Sequence, residues 1–208
     1  MNDPQIYLVR HATTELNDPD NEKVRGYTDV PIDTRGVMAV EITAKFLRKQ
    51  QASEEAPNKR ILTSPLQRAV MTSEIIASAI GSKIVPNRGL LPWDVGELSG
   101  EPIKTVAKDL NYYQEYPDIE VPKGESYRTF YDRWSDCLQR MLDFAERHPD
   151  EVVIGVVHSR NLLALPSILE GKSIGDVPVK GGPEPASVTR VYKPNGEWKM
   201  EVIHEAKS

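Results

Sequence analysis

The sequence is short of the features that mark several protein classes, and each shortage excludes one. Its 208 residues hold a single cysteine, Cys137, so no internal disulfide can form. In a strongly helical segment that thiol reads as a small buried apolar side chain, suited to a reducing compartment. No apolar run approaches the ~20 residues that cross a bilayer. The opening MNDPQIYLVR has acidic and polar residues where a secretion signal would be basic and then apolar. The expectation is a soluble, cytoplasmic protein. No Lys/Arg run is present and the formal net charge is −5, which argues against a nucleic-acid partner or an anionic membrane surface. The four histidines lack the short spacing of metal ligands, so no metal is expected. Gly171, Lys172 and Ser173 echo the end of a P-loop, but Pro166 stands where its first glycine belongs, so no nucleotide or other cofactor is expected. Internal repeats and low-complexity tracts are also missing.

What is present reads as one domain over residues 1–208. A hydrophobic fraction of 39% and a charged fraction of 27% are globular values, and the length allows a substantial core. An apolar strand, Ile6 to Val9, leads into a polar loop from Ala12 to Ile32. Val37, Val40, Ala44 and Leu47 then recur at helical spacing behind Asp33 or Thr34 as cap. Arg60 to Leu62 is a short strand. Ser64 as cap and Pro65 as first helical residue open a second helix that should end at Gly81. Lys83 to Val85 reads as a third strand, and residues 87–124 read as irregular and as lying over the site. From Tyr127, the series Phe130, Tyr131, Trp134, Leu138, Met141, Leu142 and Ala145 is the clearest amphipathic helix. Val152 to Val157 is apolar throughout, as in a strand buried on both faces. Ser159 would cap the helix that follows, and Lys193 to Gly196 mark a closing hairpin at the edge of the sheet. Alternation of strands and helices implies an α/β, three-layer α/β/α sandwich around a mostly parallel sheet. Its ligand crevice should lie beyond the carboxyl ends of the strands.

Three strand ends deliver groups that suit phosphate to that crevice: Arg10 and His11 after the first strand, Arg68 after the second, and His158 after the buried one. A guanidinium fork orients phosphate oxygens, and a neutral imidazole can attack phosphorus. Taken singly, Arg68 reads as a solvated helix residue, while His158 could be a core histidine but stands directly after a fully apolar strand, where catalytic groups project. It is their coincidence that points to a site. His148, at the end of the long helix, and His204, in the last strand, carry no such signal.

These residues fall within a larger pattern that resembles the histidine phosphatase superfamily, also called the phosphoglycerate mutase-like family. Arg10, His11, Ala12, Thr14 and Asn17 stand at its opening signature. GYTDVPID followed by Gly36 resembles its next motif. Ser64, Pro65, Leu66, Arg68, Ala69 and Thr72 match its SPLxRAxxT motif, Gly124 to Ser126 its GES, and His158 its second histidine. The resemblance implies a phosphoglycerate mutase-like fold and a metal-independent transfer through a phosphohistidine on His11. Arg10, Arg68 and His158 would hold the equatorial oxygens, and Asn17 and the amides after His11 would complete the cradle.

Two positions depart from the family. Ala12 replaces a glycine, and Pro92 replaces the Glu that serves as general acid. Asp94 is then the nearest replacement acid and Glu97 the second choice. Hydrolysis of a small phosphomonoester is the leading expectation. A mutase is less favoured, because the family's mutases hold the substrate carboxylate with an adjacent Arg pair that is missing here. A slow phosphate-binding regulatory module is the remaining alternative. Tyr27 and Tyr112, the latter beside Tyr113 and Tyr116, are candidates for lining a substrate pocket. The hairpin edge leaves a homodimer open.

Overall fold

Along β1 (Gln5–Arg10), Ile6 and Leu8 face one side and Tyr7 and Val9 the other, and all four are buried. A strand apolar on both faces has to sit inside a covered sheet. The computed structural model, which describes residues 3–18, 20–53, 58–178 and 181–206, places it there. The chain runs β1, α1 (Thr34–Ser53), β2 (Asn58–Thr63), α2 (Gln67–Ile80), β3 (Lys83–Pro86), α3 (Ile103–Glu115), α4 (Tyr127–Arg147), β4 (Glu151–Val157), α5 (Ser159–Leu169), β5 (Val188–Tyr192) and β6 (Lys199–His204). The sheet order is β3-β2-β4-β1-β5-β6. Its first four strands are parallel, and the hairpin β5-β6 adds antiparallel strands at one edge.

Alternation along β4 repeats the pattern of β1. Val152, Ile154 and Val156 join Tyr7 and Val9 in a core roofed by Val40, Ala44 and Leu47 of α1 and by Ala69, Ile76 and Ile80 of α2. Val153 and Val157 join Ile6 and Leu8 under Phe130, Trp134, Leu138 and Met141 of α4 and Leu162 and Leu165 of α5. Gly155 faces this second core, and a Cβ there would come within 2.9 Å of Leu8 Cδ2 and Met141 Cε. The result is the expected α/β/α sandwich.

Three local expectations are corrected. First, α2 begins at Gln67 rather than Pro65, because Leu66 is extended (ψ 140°) and Ser64 Oγ is buried without a hydrogen-bond partner. Its cap comes from far along the chain: Asp29 Oδ1 accepts from Gln67 N at 2.7 Å and Oδ2 from Gln67 Nε2 at 3.2 Å. At its other end Gly81 closes the helix with φ of 70°. Second, His158 and not Ser159 is the N-cap residue of α5, with its N–H bonded to Asn161 Oδ1 at 3.3 Å. Third, residues 87–124, read as irregular, contain the thirteen-residue helix α3. It buries Val106 and Gln114 and half-buries Ile103, Leu110 and Tyr113, an apolar stripe at helical spacing that the Gly- and Pro-rich run before it obscures in the sequence.

Candidate active site

Pairing register builds the site. β1 and β4 run side by side with Arg10 opposite Val157, so the next residue on each strand, His11 and His158, must emerge as neighbours. His11 N donates to Val157 O at 2.9 Å, and the two imidazole centroids are 4.9 Å apart. β2 runs beside β4 and delivers Arg68 from the first turn of α2 to the same place.

Hydrogen bonds fix opposite tautomers on the two rings. His11 Nδ1 lies 2.7 Å from Ala12 O. A carbonyl only accepts, so Nδ1 carries the proton and Nε2 keeps its lone pair. His158 Nδ1 instead accepts from Arg68 Nε at 3.3 Å, which leaves the proton on Nε2. That Nε2 is buried without a partner. Burial, then the charges of Arg68, Arg25 and Arg10, hold the His11 pKa well below the ordinary imidazole value. Burial, then Arg68, with His11, Arg25 and Arg10 adding less, does the same at His158. At neutral pH the adjacent rings therefore carry one bare nitrogen lone pair, on His11, and one N–H donor, on His158 Nε2.

The guanidiniums around them are charged and almost out of water. Burial pushes Arg10 down to about 10 and Arg68 down to about 9, still protonated at pH 7. Arg68, 1% exposed, donates from Nη1 to Thr28 O at 2.6 Å and from Nη2 to Gly26 O at 2.8 Å. Arg10 Nη1 donates to Pro183 O at 2.6 Å while its Nε is buried and unpaired. Unsatisfied buried donors on Arg10 and His158 mark where an oxyanion can be received.

The remaining expected residues divide. Asn17 Oδ1 accepts from Thr14 N at 3.0 Å, so it shapes the turn after His11 and has only its amide NH₂ left to offer a ligand. The amides after His11 are a weaker cradle than expected. Ala12 N already donates to Thr72 Oγ1 at 3.2 Å, and Thr14 N to Asn17. The extra methyl of Ala12 sits in the core under α1 and α2, 3.2 Å from where a Cβ on Gly36 would stand, and so away from the imidazoles.

Asp94 is half-buried, and its Oδ1 accepts from Gly96 N at 3.1 Å. Its hydrogen bonds run to Gly96 and Glu125, not to the histidines. Glu97 is exposed and paired with Lys123 at 2.7 Å. Among the described residues, Tyr112 makes no hydrogen bond or ring contact with the histidines or Arg68. It lies 46% exposed in a ring cluster with Tyr113 and Tyr116 on α3. Tyr27 stays beside the site, because both flanking carbonyls are held by Arg68. Burial pushes its phenol up to about 12, with Arg133, Glu125 and Asp94 as charged neighbours.

One residue escaped the sequence reading. The Arg25 side chain is only 12% exposed, and its charge bears on Arg10, His11, Arg68 and His158 alike. Its one sequence signal is its place directly before Gly26, at the edge of the GYTDVPID motif.

A mostly parallel sheet whose strand ends gather two neutral imidazoles of opposite tautomer among buried guanidiniums defines an α/β protein of the two-histidine kind. The chain belongs to the histidine phosphatase superfamily (branch 1), whose sequence model matches residues 6–206. It is 27% identical over 144 residues to a probable phosphoglycerate mutase, GpmB, of Cronobacter sakazakii, covering 67% of this chain and 63% of that one, so it spans a little under two thirds of that relative. It is 28% identical over 166 residues to the uncharacterized phosphatase PhoE of Bacillus subtilis, covering 80% and 77%. In fold it resembles a mycobacterial glucosyl-3-phosphoglycerate phosphatase, with a TM-score of 0.76 at 20% identity over 96% and 98% of the two chains. Phosphatases and mutase-like proteins thus both occur among its relatives.

Proposed function

We propose that the protein hydrolyses small phosphomonoesters, without a metal, through a phosphohistidine on His11 Nε2. The observation that carries this reading is the pair of opposed tautomers 4.9 Å apart. His11 offers a lone pair and His158 an N–H, as attack on phosphorus and reception of a phosphoryl oxygen require. The His11 nitrogen forms the N–P bond as the ester P–O bond breaks, and the leaving oxygen takes up a proton. Water then attacks the phosphohistidine, releasing phosphate and restoring the neutral imidazole. Arg10 Nε, the Arg68 guanidinium and His158 Nε2–H neutralise the equatorial oxygens as charge shifts, which is the main contribution a protein makes to this chemistry.

Pro92 cannot give the leaving oxygen its proton, and Asp94 is the nearest carboxyl on the same loop whose second oxygen is uncommitted. Since general acid catalysis is worth roughly 10²–10⁴-fold, Asp94→Asn is expected to slow alkyl phosphates far more than p-nitrophenyl phosphate. Purified protein should hydrolyse p-nitrophenyl phosphate, become labelled on one histidine by radioactive substrate quenched in alkaline detergent, where a phosphohistidine survives, and lose both properties in His11→Ala. Absence of both turnover and label in the wild type would refute the reading. The names of mutase relatives support a second reading, phosphate transfer between hydroxyls, which would instead appear as turnover requiring a bisphosphate primer.

A further inference from the structure

The phosphatase reading leaves one buried cation without a task. A phosphomonoester dianion brings two negative charges, which Arg10 and Arg68 balance. Arg25 adds a third guanidinium against the same two imidazoles. Its Nη2 meets Glu22 Oε1 at 3.2 Å, a carboxylate that is 43% exposed. Its Nη1 is buried with no hydrogen-bond partner. A guanidinium held this way is costly unless something satisfies it.

The backbone around Arg25 is built to hold it there. On one side Val24 N donates to Glu101 O at 2.9 Å, Gly100 N to Val24 O at 2.7 Å and Ile103 N to Glu22 O at 2.9 Å, which ties the segment to the entry of α3. On the other, Arg68 grips the carbonyls of Gly26 and Thr28, and Asp29 caps α2. Gly26 has φ of 45°, and a Cβ there would meet Ser99 Oγ and Val95 Cγ2 at 2.8 Å. The loop is therefore clamped at both ends with the cation between, a preorganised arrangement that suits a recognition group rather than a mobile surface side chain.

We propose that Arg25 reads a second anionic group on the substrate, so that the preferred phosphomonoester carries a carboxylate or a further phosphate close to the ester being cleaved. The inference rests on the phosphatase reading for the position of the first phosphate. It supplies a device for acidic substrates in a chain that has no adjacent arginine pair.

The test compares kcat/KM on 3-phosphoglycerate and on 2,3-bisphosphoglycerate, whose second anions lie within one or two carbons of the ester, with that on p-nitrophenyl phosphate, which has no second anion. Arg25→Gln is expected to lower the ratio of acidic to aryl turnover about 10–100-fold, the span of one charged hydrogen bond. Retention of that ratio overturns the inference, makes Arg25 part of the phosphoryl cage and leaves the phosphatase reading standing. Should Arg25→Gln not fold, Glu22→Gln poses the question with Arg25 in place. It is expected to lower KM for 3-phosphoglycerate relative to the aryl ester by about two- to fivefold, and equal shifts on both overturn the inference. Where the wild type turns over nothing and forms no phosphohistidine, the phosphatase reading fails by itself. Calorimetry then decides: 3-phosphoglycerate binding tighter than inorganic phosphate, with the difference removed in Arg25→Gln or enlarged in Glu22→Gln, supports the inference, and equal affinities overturn it.

Discussion

Two imidazoles in one pocket acquire different roles from what their Nδ1 atoms touch. A carbonyl at His11 and a guanidinium at His158 impose opposite proton placements, and burial among cations keeps both rings neutral. Nitrogen-15 NMR of the imidazoles at pH 6 should show His11 protonated on Nδ1 alone and His158 on Nε2 alone. A doubly protonated ring at that pH would contradict the assignment. The same depression makes folding pH-dependent. Below about pH 6.5 the unfolded histidines bind protons that the folded ones refuse, so stability is full at neutral pH and declines as pH falls toward the native values. Thermal unfolding should therefore shift downward between pH 7 and pH 5.5, and less steeply in His158→Gln. At this scale Arg10, His11 and His158 were legible because each follows an apolar strand, where catalytic groups project. Arg25 was not, since a loop cation has no period to betray it.

Between elements, the long polar loop after β1 is fastened to α2 by side chains rather than by packing. Asp29 caps the helix start, and Arg68 reaches back to the loop carbonyls. Asp29→Ala should cost about 1 kcal/mol, as loss of a helix cap does, lowering the melting temperature by about 2–4 °C. It should also raise KM, because the carbonyls of Gly26 and Thr28 set the height of Arg68. An unchanged KM with lowered stability would show the loop to be held without it. The Ser64–Pro65 pair looked like a sufficient helix start, yet a carboxylate more than thirty residues upstream does the capping. Long-range caps of this kind leave no local signature. α3 was missed although Ile103, Val106, Leu110 and Tyr113 recur at helical spacing, because the Gly- and Pro-rich run before it makes the whole stretch read as irregular, whereas α4, with eight buried residues, was plain in the sequence.

Across the whole molecule, the two cores on either side of the sheet both run up to the chemistry, one at Val9 and Ala12 and the other at Val157. Leu138 lies fully buried in the α4 and α5 core with no part in the pocket. Leu138→Ala should therefore destabilise by about 2–5 kcal/mol, visible in denaturant unfolding. The folded fraction at 25 °C should turn over p-nitrophenyl phosphate within about twofold of wild type, since distant sites act independently. A large loss in kcat would mean that this core sets the pocket geometry. The layered architecture was legible as a whole because doubly apolar strands demand covers on both faces.

The neighbourly position of β1 between β4 and β5 has a further consequence for how the protein comes into being. On the ribosome β1 must wait for partners synthesised about 150 and 180 residues later, so the pocket cannot exist on a nascent chain until β4 has emerged. Competence would thus arrive in a single late step, and a prematurely terminated chain lacking β4 would be inert and would present an apolar strand searching for a mate.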